Sequence, residues 1–405
     1  MLGLFIRAPR ARRILFLGSA THVWSDLFFA LLVPLLPAIK ADLGLSYTEA
    51  VLLKAVFAGA SAVLQVPAGF LADAVSELWL LILGNAWVAA GIIVMAFSPG
   101  FIALLAITLV AGIGGGTQHP IAASMGSRAY DGGGRSTAVG TVNFAGDLGK
   151  MAAPVIVAAA ALAHFDWRTT LWVVGVGGLV FMAGAALLRR GLDLGRPTRT
   201  GNRTTEDPPG ETQVGAFAKL SFVGFLDAAT RASALVFLPF ILDDKGLGIA
   251  EISAMLVLFF VGGAAGKFAC GWLGDRYGLI NVTVVTKGVT AVLLALALVT
   301  PVAAMVPLVL VLGFTLQGTS SVLYAAVADF VPARRRARLY GLYYTIIDGG
   351  SVVAPLAYGI VADLSGLGVA MVAMSFVTAA ILPSSLTLRR HLGAPAGARG
   401  VGPAG

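Results

Sequence analysis

The chain has 405 residues, 58% of them hydrophobic and only 12% charged, with a mean hydropathy of +0.89. Soluble domains carry about 25% charged residues, so a chain this poor in polar surface cannot cover itself in water. The net charge of +8 does not point to nucleic acid, because the basic residues sit in breaks between apolar segments. A single cysteine, Cys270, excludes an internal disulfide, and four histidines without a Cys/His cluster offer no structural metal site.

Residues 1–13 read as a basic tail with Arg7, Arg10, Arg12 and Arg13. Ile14 opens an apolar run reaching Pro37, longer than the core of a cleaved leader and long enough to span a bilayer. Further apolar segments run near 47–71, 78–96, 101–125, 136–161 and 169–188, followed by a polar stretch over 189–214. Six more run near 216–240, 250–273, 281–300, 303–328, 338–361 and 367–387, and a Gly/Ala/Pro-rich tail at 389–405 reads as disordered. The expected fold is an all-α membrane protein with twelve transmembrane helices in two pseudo-symmetric six-helix bundles, 14–188 and 215–388. Arginines crowd the N-terminal tail, the linker and the breaks after segments four, eight, ten and twelve, whereas the opposite loops offer only Lys40, Arg168 and Lys245. This bias predicts that both termini and the linker are cytoplasmic. Alanine- and arginine-rich usage points to a bacterial inner membrane.

One spacing occurs twice. Gly140, Asp147, Gly149, Ala153 and Pro154 are matched, 201 residues on, by Gly341, Asp348, Gly350, Ala354 and Pro355. Other matches lie 202 apart: Pro37 with Pro239, Gly116 with Gly318, and the Gly69–Asp73 stretch with Gly271–Asp275. Repeated halves of six helices keep the same orientation, and a repeat carrying an intramembrane acid suits a two-halved carrier.

Charges inside the hydrocarbon are costly and should face water or one another. Segment one carries His22 and Asp26, one helical turn apart; segment five carries Asp147 and Lys150; segment seven carries Asp227 and Arg231. Asp348 has no basic residue within a turn, and Lys54, His119 and Lys267 lie in segments two, four and eight. Asp147–Lys150 and Asp227–Arg231 also read as mutually neutralising pairs, Lys267 as a snorkelling side chain, Lys54 as a partner for an acid on another helix, and His119 as support for backbone freed by Pro120. Asp26, His22 and Asp348 are the expected proton-coupling groups, because a carboxyl group alternating between dry and wet surroundings, or a histidine, can gain and lose a proton near neutral pH. Asp147 is expected in a fixed ion pair. Gly262–Lys267 lacks the spacing of a phosphate loop, so no nucleotide, cofactor or enzymatic activity is expected.

These features resemble the major facilitator superfamily over the whole length. The strongest motif is G-x-L-G-D-R-x-G at Gly271, Leu273, Gly274, Asp275, Arg276 and Gly278, similar to that family's gating loop; the first copy keeps Gly69, Leu71 and Asp73 but has Ala74 and Glu77. G-x8-G-x3-A-P resembles the fifth-helix motif of drug–proton antiporters, in which Gly140, Gly149 and Pro154, and Gly341, Gly350 and Pro355, would serve helix packing and bending. His22 with Asp26, and the run from Gly112 to Pro120, resemble fosmidomycin-resistance-type exporters. The resemblance implies a cavity lined by Asp26, Gln118, Asp227, Arg231 and Gln317. Lys54, His119 and a polar stripe of Ser320, Ser321 and Tyr324 complete the candidate substrate-binding set.

The expectation is a secondary transporter of a small organic solute by alternating access. It would act as a monomer in the lipid bilayer with protons as co-substrate, and without nucleic acid or cofactor. Proton-driven efflux by antiport is placed ahead of uptake by symport of an organic anion or zwitterion. A non-transporting membrane sensor or scaffold is the rival class, disfavoured by the short linker and tail.

Overall fold

The computed structural model describes residues 9–71, 75–118, 121–122, 125, 129–130, 135–190, 192, 214–330 and 336–389. Twelve long helices account for nearly all of them. The first six are α1 (Arg10–Leu43), α2 (Tyr47–Leu71), α3 (Glu77–Ala96), α4 (Phe101–Gly115), α5 (Arg135–Leu162) and α6 (Trp167–Leu188). The second six are α7 (Val214–Asp244), α8 (Ile249–Tyr277), α9 (Leu279–Val299), α10 (Val302–Phe330), α11 (Arg336–Ser365) and α12 (Leu367–Leu386). Eleven are long and apolar enough to cross a membrane; α4 is described only to Gly115, short of the predicted end at 125. Large apolar side chains such as Phe268, Val299 and Leu364 point outward. Such a surface would be adhesive in water but matches lipid chains. In that solvent, helices satisfy their own backbone hydrogen bonds.

The chain divides into two compact units, residues 1–201 with 248–254, and residues 202–247 with 255–405. Within each unit the fifth helix lies along the first, and the sixth along the third: α1 with α5 and α3 with α6, then α7 with α11 and α9 with α12. Glycine makes the close approaches. A Cβ at Gly149 would strike the Val23 carbonyl of α1, and one at Gly350 would come within 2.8 Å of the Phe225 carbonyl of α7. The second glycine of the repeated spacing thus seats each fifth helix on its first. A Cβ at Gly112 would lie 2.6 Å from the Phe57 carbonyl, and Gly313 meets the Phe259 carbonyl in the same way. The glycine-rich run of α4 is a packing surface.

The turns are duplicated too. Gly44 after α1 and Gly246 after α7 are left-handed, with φ of 63° and 83°. His164 after α5 and Gly366 after α11 are left-handed at 60° and 92°, so the first half places a histidine where the second has glycine. At the start of α2, Ser46 and Glu49 cap each other reciprocally, Glu49 N–H donating to Ser46 Oγ at 3.1 Å and Ser46 N–H to Glu49 Oε2 at 2.9 Å.

The three cations that run against the charge bias each have a local partner. Lys40 sits 4.5 Å from the Tyr47 ring centroid. Arg168 donates to the Ala96 and Ser98 carbonyls at the end of α3, at 3.2 and 2.7 Å, and pairs with Asp42 at 3.5 Å. Lys245 donates to the Leu298 and Thr300 carbonyls at the end of α9, at 3.0 and 2.9 Å. Ala96 and Ser98 match Leu298 and Thr300 in the repeat, so each half closes the same helix end with a cation drawn from a different element.

Candidate functional site

In the N-terminal half the charges converge on Asp26. This carboxyl group is buried in α1, with His22 Nε2 3.6 Å away on the preceding turn. Gly146 of α5 makes room for both, since a Cβ there would strike Asp26 Oδ2 and come within 2.9 Å of His22 Nε2. Lys150 of α5 reaches across to Asp26 at 3.1 Å and pairs with Asp147 on its own helix at 3.4 Å. One ammonium therefore serves two acids. Its side chain keeps 34% of its surface open, against 3% for Asp26. Lys54 of α2 is buried beside them; its Nζ donates to the Phe29 carbonyl and lies 3.2 Å from the Phe29 ring centroid. Phe29 lies one turn along α1 from Asp26, so Lys54 stands next to the cluster.

In the C-terminal half the acid of the first helix is again buried, and its cation comes from elsewhere. Asp227 of α7 lies 2.5 Å from Nζ of Lys287, a fully buried lysine on α9 that also donates to the Leu316 carbonyl of α10 at 3.2 Å. Arg231, one turn along α7, approaches the other carboxylate oxygen only to 3.9 Å. Hydroxyl contacts flank Lys287: Thr286 with Thr319, and Thr290 with Thr315, each at 2.9 Å. In the N-terminal half, Asn85 Nδ2 of α3 donates to Gln118 Oε1, just beyond α4, at 2.9 Å. Both bundles thus tie their third and fourth helices through polar side chains, with amides in one half and hydroxyls in the other.

A sequence profile of the Major Facilitator Superfamily matches residues 19–216 and 220–401. The chain belongs to that superfamily. As such it is a transporter rather than an enzyme, and an integral membrane protein. Fosmidomycin resistance protein of Escherichia coli (strain K12) is 23% identical over 354 residues, 85% of each chain. Hexuronate transporter of Bacillus subtilis (strain 168) is 25% identical over 395 residues, 91% of this chain and 92% of that one. Among solved structures, a bacterial homolog of the human lysosomal transporter Spinster aligns over 96% of this chain and 100% of its own, with a TM-score of 0.78 and 16% identity.

Within this superfamily member, the other candidates fall as follows. Gln118 is buried and held by Asn85, and Gln317 is partly buried, its side chain lying over Gly263 of α8. Asp348 is partly buried on α11, two residues before Gly350. Asp275 and Arg276 are exposed at the end of α8, Arg276 lying 5.7 Å from the ring centroids of both Trp272 and Tyr277; Gly278 is left-handed and precedes α9. Asp73, His119 and Pro120 lie outside the described residues, as do the side chains of Ser321 and Tyr324. Two features escaped the sequence reading. Lys150 spans to Asp26, a contact between helices that a single-helix spacing rule does not see. Lys287 was not singled out, although it is the one charge in the apolar run of α9. It belongs with the isolated charges Lys54 and Lys267, and its cost in an apolar run is the signal for it.

Proposed function

We propose that this transporter is proton-coupled and that Asp26 carries the proton. The observation behind the reading is the buried Asp26 carboxylate, held by a lysine from another helix that is itself shared with Asp147. A proton arriving on Asp26 breaks one contact of Lys150 and leaves the other, so α1 and α5 have two defined arrangements at one point. Such an element can be biased by both proton and solute, as alternating access requires. His22 is placed to relay the proton, and Asp348 is a second candidate carrier. The membrane is proposed to be a bacterial inner membrane with both termini cytoplasmic, on the arginine bias and the bacterial relatives.

Two readings of direction have specific support. Export by antiport is supported by the similarity to fosmidomycin resistance protein. Import by symport is supported by the relatives named for hexuronate and gentisate. The test of coupling is accumulation into proteoliposomes under an imposed pH gradient. Asp26→Asn is expected to abolish gradient-driven accumulation while solute exchange at equal pH persists. Accumulation at the wild-type level in that variant would sink the reading.

A further inference from the structure

We infer that a proton on Asp26 opens a carboxylate-binding subsite at Lys150, flanked by Lys54, and that proton and organic anion therefore travel together. The inference rests on the coupling reading above and adds the substrate class. Among the described residues of this half, four ionisable side chains cluster at the middle of α1: Asp26 and Asp147 on the acidic side, Lys150 paired with both and Lys54 at the Phe29 carbonyl one turn along, with His22 adjoining. The remaining acids among the described residues of this half stand at helix ends. Asp42 is held by Arg168 and Trp167, Glu49 caps α2, Glu77 begins α3, and Asp166 caps α6. Helices α3, α4 and α6 bring no charged side chain among the described residues to the middle of the bundle.

Two lysines therefore face two carboxylates when Asp26 is ionised. Protonation of Asp26 leaves two lysines facing Asp147 alone, one positive charge in excess. An uncompensated charge in low dielectric is costly, and a monoanion restores the balance. A cation would double the excess. Access is uneven in the way the step requires. Lys150 is a third exposed, whereas Asp26 is buried and Lys54 is fixed by the Phe29 carbonyl and ring. The anion therefore meets Lys150 first, and Lys54 contributes charge from behind. One proton and one monoanion move no net charge, so transport is electroneutral.

The test uses the full chain in proteoliposomes and a panel of radiolabelled monocarboxylates, each beside its uncharged amide, with tetraethylammonium as the cation. The expected result is exchange of at least one carboxylate and not its amide. A pH gradient should drive its accumulation, and a potassium diffusion potential should not. Lys150→Gln should cut exchange at least tenfold, with Lys150→Arg retaining more than half. The electroneutrality arm needs no variant, so a Lys150→Gln protein that fails to fold leaves the test standing. Accumulation driven by potential, exchange of amides or of no probe at all, or wild-type exchange by folded Lys150→Gln overturns the inference. Tetraethylammonium accumulation that follows pH and is lost in Asp26→Asn overturns the anion subsite and keeps the coupling. Carboxylate exchange that ignores pH overturns the coupling at Asp26 and the opening step with it.

Discussion

The two halves each bury a carboxylate in their first helix, Asp26 in α1 and Asp227 in α7, one residue out of register with each other, and neutralise it differently. In the N-terminal half the cation is Lys150 from the fifth helix, partly exposed and shared with a second acid. In the C-terminal half it is Lys287 from α9, the third helix of that half, fully buried, closer, and anchored to a carbonyl of α10. A shared, accessible ion pair can be exchanged for another partner at small cost, whereas a desolvated pair cannot lose one member without stranding the other. On the proposed reading, the exchangeable pair suits coupling and the desolvated pair suits framework.

The most damaging way to break this comparison is at the buried pair. Lys287→Ala leaves the buried Asp227 with only the more distant Arg231 and should cost about 3 kcal/mol. It would be seen as a large fall in melting temperature in detergent, while Asp227→Asn with Lys287→Met together recovers most of the loss. Lys150→Ala should cost less, about 1 kcal/mol, because Lys150 and its second partner Asp147 are partly exposed and Asp26 keeps His22 beside it. Equal losses for the two lysines would erase the distinction.

Glycine substitutions sharpen it next. Gly149→Ala pushes a methyl group into the Val23 carbonyl and should destabilise by about 1–3 kcal/mol. Gly140→Ala meets nothing within 4 Å and should stabilise α5 by up to about 1 kcal/mol. The repeated spacing therefore holds glycines of opposite consequence, and thermal melts of the two variants should move in opposite directions.

The smallest effect lies at the start of α6. Asp166 Oδ1 accepts from Thr169 N–H at 2.7 Å, and the hydrogen bonds from Thr169, with Arg168 adding less, hold its carboxyl group below the usual aspartate range. A lowered value in the folded state adds stability above the unfolded value and loses it as pH falls through the folded one. Asp166→Ala should cost roughly 0.5 kcal/mol at neutral pH and nothing in strong acid, read from melts across pH.

The helices and their duplication were legible because both are properties of the chain itself: apolar runs of spanning length and a spacing that recurs. The start of α1 at Arg10 rather than Ile14 shows the limit, since a helix continues past the apolar run that announces it. The carboxylates of the site were legible as costly residues in apolar surroundings. Their partners were not. Asp147–Lys150 is visible as a spacing of three on one helix, but Lys150–Asp26 depends on Gly146 and Gly149 letting α5 close on α1. Lys287 has no acid within a turn of α9, so a pairing rule within one helix does not reach it.

The central claim is that coupling resides in the N-terminal cluster. It is tested most directly by pH-gradient-driven accumulation in Asp26→Asn beside the double variant Asp227→Asn with Lys287→Met, each compared with its own exchange at equal pH. The account predicts that the first loses accumulation and keeps exchange, and that the double variant keeps both. Accumulation retained in Asp26→Asn and lost in the folded double variant would contradict it.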